Sequence, residues 1–309
     1  MEPRAKAFAG RADELGTLEQ ALAAARAARG AAILLAGDAG IGKTRLAAEL
    51  IRRARDGGFA TLLGRSIDLV GTELPYQPFA EALRPLGGPR PADAPAGSQL
   101  RVFEETLARL TDHAAGAPVL LVLEDLHWAD TSTLDLVVFL AHHLAGRPAV
   151  LLATYRGDEP SSKGRMTRLA DGVRRSDSGL VLDLGPLPPA DLAALLGPAP
   201  PALAAAIAAR SGGNPFFAEE LLAAGPTRTA ELPRRVRDLL LQRVGRLDPA
   251  TQGLLRLTAA AGRDVGYPLL RALAQVREPD VRDSLRLAVE GQVLVADQAS
   301  GTFRFRHPL

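Results

Sequence analysis

The chain has 309 residues, 47% hydrophobic and 23% charged, with a formal net charge of +2 and no cysteine. That length fits two or three domains of about 100–200 residues, and the composition excludes a disordered chain, disulfides and thiolate-bound zinc. No apolar leader opens the sequence and no apolar run reaches the ~18 residues of a membrane span, so a cytoplasmic location is expected. Charge is uneven: from Pro226 onward 14 Arg face 9 acids, +5, leaving −3 for the rest. A basic C-terminal third suits an acidic partner, but a solvated arginine-rich surface is the plainer reading.

Residues 11–29 have helical spacing, and Gly30 is placed to end that helix. Residues 31–36 read as a buried strand, followed by a glycine-rich turn and a helix over 43–55 that Gly57 and Gly58 terminate. A second strand over 59–64 and a short helix over 75–86 come next. Residues 87–97, rich in Pro, Ala and Gly, read as a surface loop, with Ser98 as N-cap of a helix ending near Gly116. Further strands are expected over 119–123, 149–154 and 180–184, and a helix from Asp130 to a stop at Gly146. Strands that are continuous apolar runs alternating with helices predict a parallel sheet covered on both faces. The alternation stops after Gly185. Proline-punctuated helices fill 189–224, and amphipathic helices fill 232–290. Residues 293–296 and 302–306 alternate like a hairpin, and helices followed by a hairpin suggest a winged helix.

Gly37-Asp38-Ala39-Gly40-Ile41-Gly42-Lys43-Thr44 matches G-x-x-x-x-G-K-[ST] between a predicted strand and a predicted helix. In this P-loop the backbone N–H groups wrap phosphate oxygens and the helix N-terminus adds positive potential. Lys43 is placed for the β- and γ-phosphates and the Thr44 hydroxyl for Mg²⁺; Arg45 follows directly. The expected ligands are ATP or ADP with Mg²⁺. The apolar run 119–123 ends in Glu124-Asp125, a Walker B pattern that brings two carboxylates to the sheet edge beside the P-loop. One holds the metal or its water shell, the other polarises an attacking water. Arg156, just past the strand 149–154, is a candidate to sense or stabilise phosphate charge.

Several segments together resemble the STAND class of AAA-like signalling ATPases, in particular the ATPase module of large ATP-binding LuxR-family transcriptional regulators. They are Phe8 to Leu15 (FAGRADEL), Gly37 to Leu46, Leu74-Pro75-Tyr76-Gln77-Pro78, Leu121 to Asp130 (LVLEDLHWAD), Thr154-Tyr155-Arg156 and Gly212 to Phe217 (GGNPFF). The resemblance implies an α/β P-loop NTPase of the ASCE or AAA-like type over 1–184, a helical lid over 185–225 and a winged-helix domain over 226–309, truncated at its end. It implies Pro215 on the lid near adenine and Arg11 near the base. His127 and Trp128 are typical of the family and are assigned to packing, and Asp130 to capping the next helix. The family's first Walker B acid is usually Asp, so Glu124 leaves the division of roles with Asp125 open. The implied function is a slow ATPase switch, closed with ADP and self-associating with ATP, that reaches DNA only through a domain beyond Leu309. The alternatives are an ATP-driven remodeller, or the same module attached to a nucleotide cyclase or protein kinase.

Overall fold

The computed structural model describes residues 8–67, 74–87, 99–157, 162–224, 233–262, 264–274, 277–291, 293–297 and 301–305. The expected loop after Gly87, the Ser98 cap and the end of the last strand at Arg306 lie outside the described residues. The chain divides into two compact units, Met1–Gly185 and Pro186–Leu309. No helix among the described residues is long and apolar enough to cross a membrane.

The first unit holds five strands: β1 (Ala31–Gly37), β2 (Ala60–Arg65), β3 (Val119–Glu124), β4 (Ala149–Thr154) and β5 (Gly179–Leu184). They pair in the order β2-β3-β4-β1-β5, every neighbour parallel. This is the parallel α/β sheet that the alternating pattern predicts. α1 (Ala12–Arg26) precedes β1, and between the strands run α2 (Lys43–Asp56), α3 (Gln77–Ala82), α4 (Gln99–Ala114), α5 (Thr131–His143) and α6 (Lys163–Arg174). Strand side chains alternate between the sheet's two faces. Ala32, Leu34, Leu121, Leu123, Leu151 and Ala153 enter one core with Phe79, Phe103, Leu140 and Leu169. Ile33, Leu35, Leu120, Val122, Val150 and Leu152 enter the other with Leu18 and Leu22 of α1 and Leu46 and Leu50 of α2. Both faces are covered, which is why the central strands read as unbroken apolar runs.

One expectation fails locally, and one element goes unread. Gly30 does not end α1: the helix closes at Ala27, and Ala28 takes the left-handed turn at φ 53°. Gly30 is instead needed for close approach, since a Cβ there would meet the Leu144 carbonyl oxygen at 2.4 Å. The sequence reading assigns nothing between Thr154 and Leu180, where α6 lies. Its buried Met166, Leu169, Ala170 and Val173 follow i, i+3, i+4, i+7 spacing, a signal the polar flanks obscure.

In the second unit α7 (Pro189–Leu196), α8 (Pro201–Ser211) and α9 (Pro215–Ala224) share a core of Leu192, Leu196, Ile207, Ala218 and Leu221. The prolines that punctuate this stretch open the helices, where the missing N–H is no loss. Then come α10 (Arg234–Gly245), α11 (Pro249–Ala261), α12 (Tyr267–Ala274) and α13 (Glu278–Glu290). The two-residue strand β6 (Val265–Gly266) precedes α12. The expected hairpin forms from β7 (Leu294–Asp297) and β8 (Thr302–Phe305), and β6 adds to β8 antiparallel. Val265, Leu270, Val281, Leu285 and Leu294 join these pieces in one core.

Two glycines of the first unit test the packing with opposite signs. A Cβ on Gly64 in β2 would meet the Pro78 carbonyl oxygen at 1.8 Å, so α3 rests directly on the strand backbone there. Gly64→Ala is expected to destabilise the fold by about 3 kcal/mol, as overpacking against backbone does. Gly16 lies inside α1, and a Cβ added to it would have nothing within 4 Å. Gly16→Ala is expected to stabilise by roughly 0.5–1 kcal/mol. Denaturant midpoints of the two variants against the parent check both signs.

Candidate functional site

A parallel sheet delivers every strand's C-terminal end to one edge, and here four of those ends carry polar groups. β1 ends in the loop from Gly37 to Gly42, where Gly40 (φ 77°) and Gly42 (φ 104°) hold left-handed turns that side chains resist. Ala39 and Ile41 are buried, Ile41 in the α1–α2 core, so the loop's backbone rather than its side chains is what it presents. The N-cap of α2 is Gly42, which makes no side-chain cap, and the helix starts at Lys43 directly after the loop. The helix dipole makes such an N-terminus favourable for anions. Lys43 is itself buried, and its Nζ donates to the Gly37 and Asp38 carbonyls at 2.6 and 2.9 Å. Its charge therefore sits on the loop. Thr44 is exposed on the first turn of α2, beside Arg45.

Arg11, just before α1, is buried with φ 64°. It donates to the carbonyls of Ile41 at 3.2 Å and Gly185 at 2.5 Å, and pairs with Glu14 at 2.9 Å. These bonds tie the P-loop to the residue after β5.

β3 ends at Glu124, and Asp125 follows with φ 60° and ψ 41°, a left-handed conformation that Asp tolerates better than most residues. The Asp125 N–H donates to Thr154 Oγ1 of β4 at 3.1 Å, which fixes this turn against the neighbouring strand. Glu124 Oε2 accepts from Arg65, from Nε at 3.2 Å and also from Nη2. Arg65 ends β2 and stands opposite Glu124 in the β2–β3 register. Its Nε also lies 3.9 Å from Asp125 Oδ2. Contact with Glu124 holds the Arg65 guanidinium still further above its ordinary pKa. Burial pushes the Asp125 carboxyl up and the adjacent Glu124 adds to this, while the charges of Arg156, Arg65 and Lys43 oppose it.

Beyond β4, Arg156 lies over the ring of Trp128, guanidinium carbon to centroid 5.6 Å. Trp128 closes the 3-10 turn Leu126–Trp128. Asp130 caps α5, accepting from the Thr133 N–H at 3.2 Å as expected, and its Oδ1 also accepts from the Tyr76 N–H at 3.2 Å. His127 is buried beside Trp128, with ring centroids 4.5 Å apart. In the second unit, Pro215 opens α9 after the Gly213 turn, and Asn214 Oδ1 accepts from the Phe216 and Phe217 N–H groups.

The structure thus brings Lys43, Glu124, Asp125 and Arg156 to one sheet edge. It adds two groups that motif reading misses. Arg65 follows an ordinary strand and carries no motif; only the register reveals it. Thr154 stands inside a family-like segment, but its hydroxyl acts through a strand-to-strand bond that sequence does not show.

Residues 7–152 match the family profile described as "AAA ATPase domain", which supports an AAA-like ATPase module in the first unit. An uncharacterized protein of Rhizobium meliloti (strain 1021) is 29% identical over 322 residues, with 85% of this chain covered. The chain spans 30% of that relative's length. Among solved structures, a Signal Transduction ATPase with Numerous Domains (STAND) protein with a tetratricopeptide repeat sensor, from Pyrococcus horikoshii, is 16% identical with a TM-score of 0.46. That match covers 98% of this chain and 42% of the other. A mutant RuvB from Thermotoga maritima is 17% identical with a TM-score of 0.49, covering 98% of this chain and 96% of the other.

Lys43→Ala is expected to leave the fold intact and weaken ATP binding at least tenfold, about 1.4 kcal/mol or more. Titration of a fluorescent ATP analogue checks it. Asp125→Asn is expected to raise the melting temperature of nucleotide-free protein at pH 7. A carboxyl whose folded pKa is raised opposes folding once ionised, and that penalty sets in as pH climbs from the unfolded value through the folded one. The gap between variant and parent should therefore close as pH falls toward about 4. Asn also accepts the left-handed backbone at this position.

Proposed function

We propose that this chain is an ATP/ADP-binding switch with slow ATP hydrolysis, the regulatory module of a LuxR-type transcriptional regulator. The observation that carries the nucleotide chemistry is the single sheet edge that gathers Lys43, Arg65, Glu124, Asp125 and Arg156 next to the glycine-rich loop that opens α2. The switch and its output rest on the resemblance of the six segments named above to LuxR-type ATPase modules.

The donor set suits Mg²⁺, which takes hard oxygens and needs only one or two carboxylates besides phosphate. Thr44, Glu124 and Asp125 are the residues that would hold it, partly through water. When bound, the ion would supply positive charge that offsets the charge of the phosphates. The rest falls to the chain. The loop amides and Lys43 bind the phosphates. Glu124 has both bonds from Arg65 on one oxygen and is 9% exposed, whereas Asp125 is 23% exposed. This difference favours Asp125 as the base that polarises water, with Glu124 ordering the metal's shell. Arg156 reads the charge of the terminal phosphate. Pro215 serves as the lid residue beside adenine, Arg11 supports the loop near the base, and the winged-helix reading of the C-terminal helices and hairpin belongs to the same proposal. A switch of this kind needs a ligand that binds its two states unequally.

Asp125→Asn combined with Glu124→Gln should still bind ATP but hydrolyse it at least about a hundredfold more slowly in single turnover, the usual weight of general-base catalysis. Rates equal to the parent reject the Walker B assignment. The nucleotide released on denaturing freshly purified protein should be ADP; continuous fast turnover would instead make hydrolysis itself the output. DNA recognition is assigned to a domain outside this chain. Arginines such as Arg234, Arg235 and Arg237 offer phosphate attraction without sequence information. A competition assay near physiological salt should show less than about a tenfold preference for any duplex, well short of the roughly thousandfold of specific sites.

A further inference from the structure

Trp128 is the chain's one tryptophan, and it is half-buried rather than enclosed in the core. It closes a turn fixed from several sides. Its own N–H donates to the Asp125 carbonyl at 3.0 Å, and the Ala129 N–H to the Leu126 carbonyl at 3.0 Å. Arg165 of α6 donates to the Ala129 carbonyl at 2.9 Å and the His127 carbonyl at 3.5 Å. The buried Asp130 follows as the cap of α5. The turn that carries the indole is therefore held in place, and the indole itself contacts the His127 ring and Arg156. Arg156 follows β4 by two residues, on a flexible side chain. Its guanidinium carbon lies 5.6 Å from the centroid of the indole, over the ring face. An aromatic face attracts a guanidinium by its quadrupole while leaving the N–H edge able to donate elsewhere. From that position the Arg156 charge acts on Asp125.

We propose that Trp128 is a positioning residue: its indole face holds Arg156 where the guanidinium edge meets the terminal phosphate of a nucleoside triphosphate, so that Trp128 sets discrimination between triphosphate and diphosphate. This rests on the reading of Arg156 as the phosphate-sensing group. ADP lacks the phosphate that Arg156 addresses, so loss of the indole weakens ATP and spares ADP. A residue that merely packed would weaken both.

The test is the ratio of ATP to ADP affinity by calorimetry in full-length variants. Trp128→Leu is expected to lower the ratio about threefold to tenfold, the range of a cation–π contact. Trp128→Phe, which keeps an aromatic face, should restore most of it. Arg156→Ala should lower the ratio at least as much, and adding Trp128→Leu to it should change nothing further. A second readout needs no nucleotide: emission of the single tryptophan should differ between parent and Arg156→Ala. If Arg156→Ala leaves the ratio unchanged, the sensing reading fails and takes the inference with it. If Arg156→Ala lowers the ratio but Trp128→Leu does not, or weakens both nucleotides equally, only the inference is overturned. Equal emission from parent and Arg156→Ala also overturns it.

Discussion

Two consecutive carboxylates at the end of a buried strand are an electrostatic problem, and the architecture of the first unit is arranged around it. Glu124 raises the cost of ionising Asp125, and the walls around them are β3 and β4, buried along their whole length. An unpaired carboxylate in such surroundings tends to take up a proton. Cations from three separate segments counter this: Arg65 from β2, Arg156 from beyond β4 and Lys43 from the P-loop. None is near the acids in sequence. They meet because a parallel sheet sends all its strand ends to one edge, and because β4 lies between β1 and β3.

Position there is secured by groups that do no chemistry themselves. Thr154 holds the Asp125 backbone, and Arg11 holds the P-loop to the residue after β5. Asp130 joins the start of α5 to Tyr76 at the start of α3, with Thr133 Oγ1 accepting from the same Tyr76 N–H at 3.0 Å. The family-like segments around Tyr76, Asp130 and Thr154 are therefore partners in one hydrogen-bonded frame. Sites held on rigid elements by such second contacts keep the sub-ångström geometry that phosphate chemistry demands.

Much of this is legible in the chain itself. Strand positions follow from continuous apolar runs, because strands buried on both faces have no polar side to show. The P-loop is legible because its chemistry needs glycines at fixed intervals and a lysine at a helix start, all local in sequence. The proline-opened helices of the second unit are legible for the same local reason.

What sequence could not determine is what depends on distance through space. Gly30 looks like a helix stop, but its role is set by the Leu144 carbonyl, far along the chain. The helix over 163–174 is hidden because its apolar stripe is narrow in a polar segment. Arg65 has no local signature at all: it becomes part of the site through the strand order and the register that set it opposite Glu124. The sequence by itself determined the kinds of element and the glycine-rich loop between β1 and α2, since both are written in short-range pattern. Only the tertiary structure decided which charges neutralise one another, because a Coulomb interaction depends on separation in space and not along the chain.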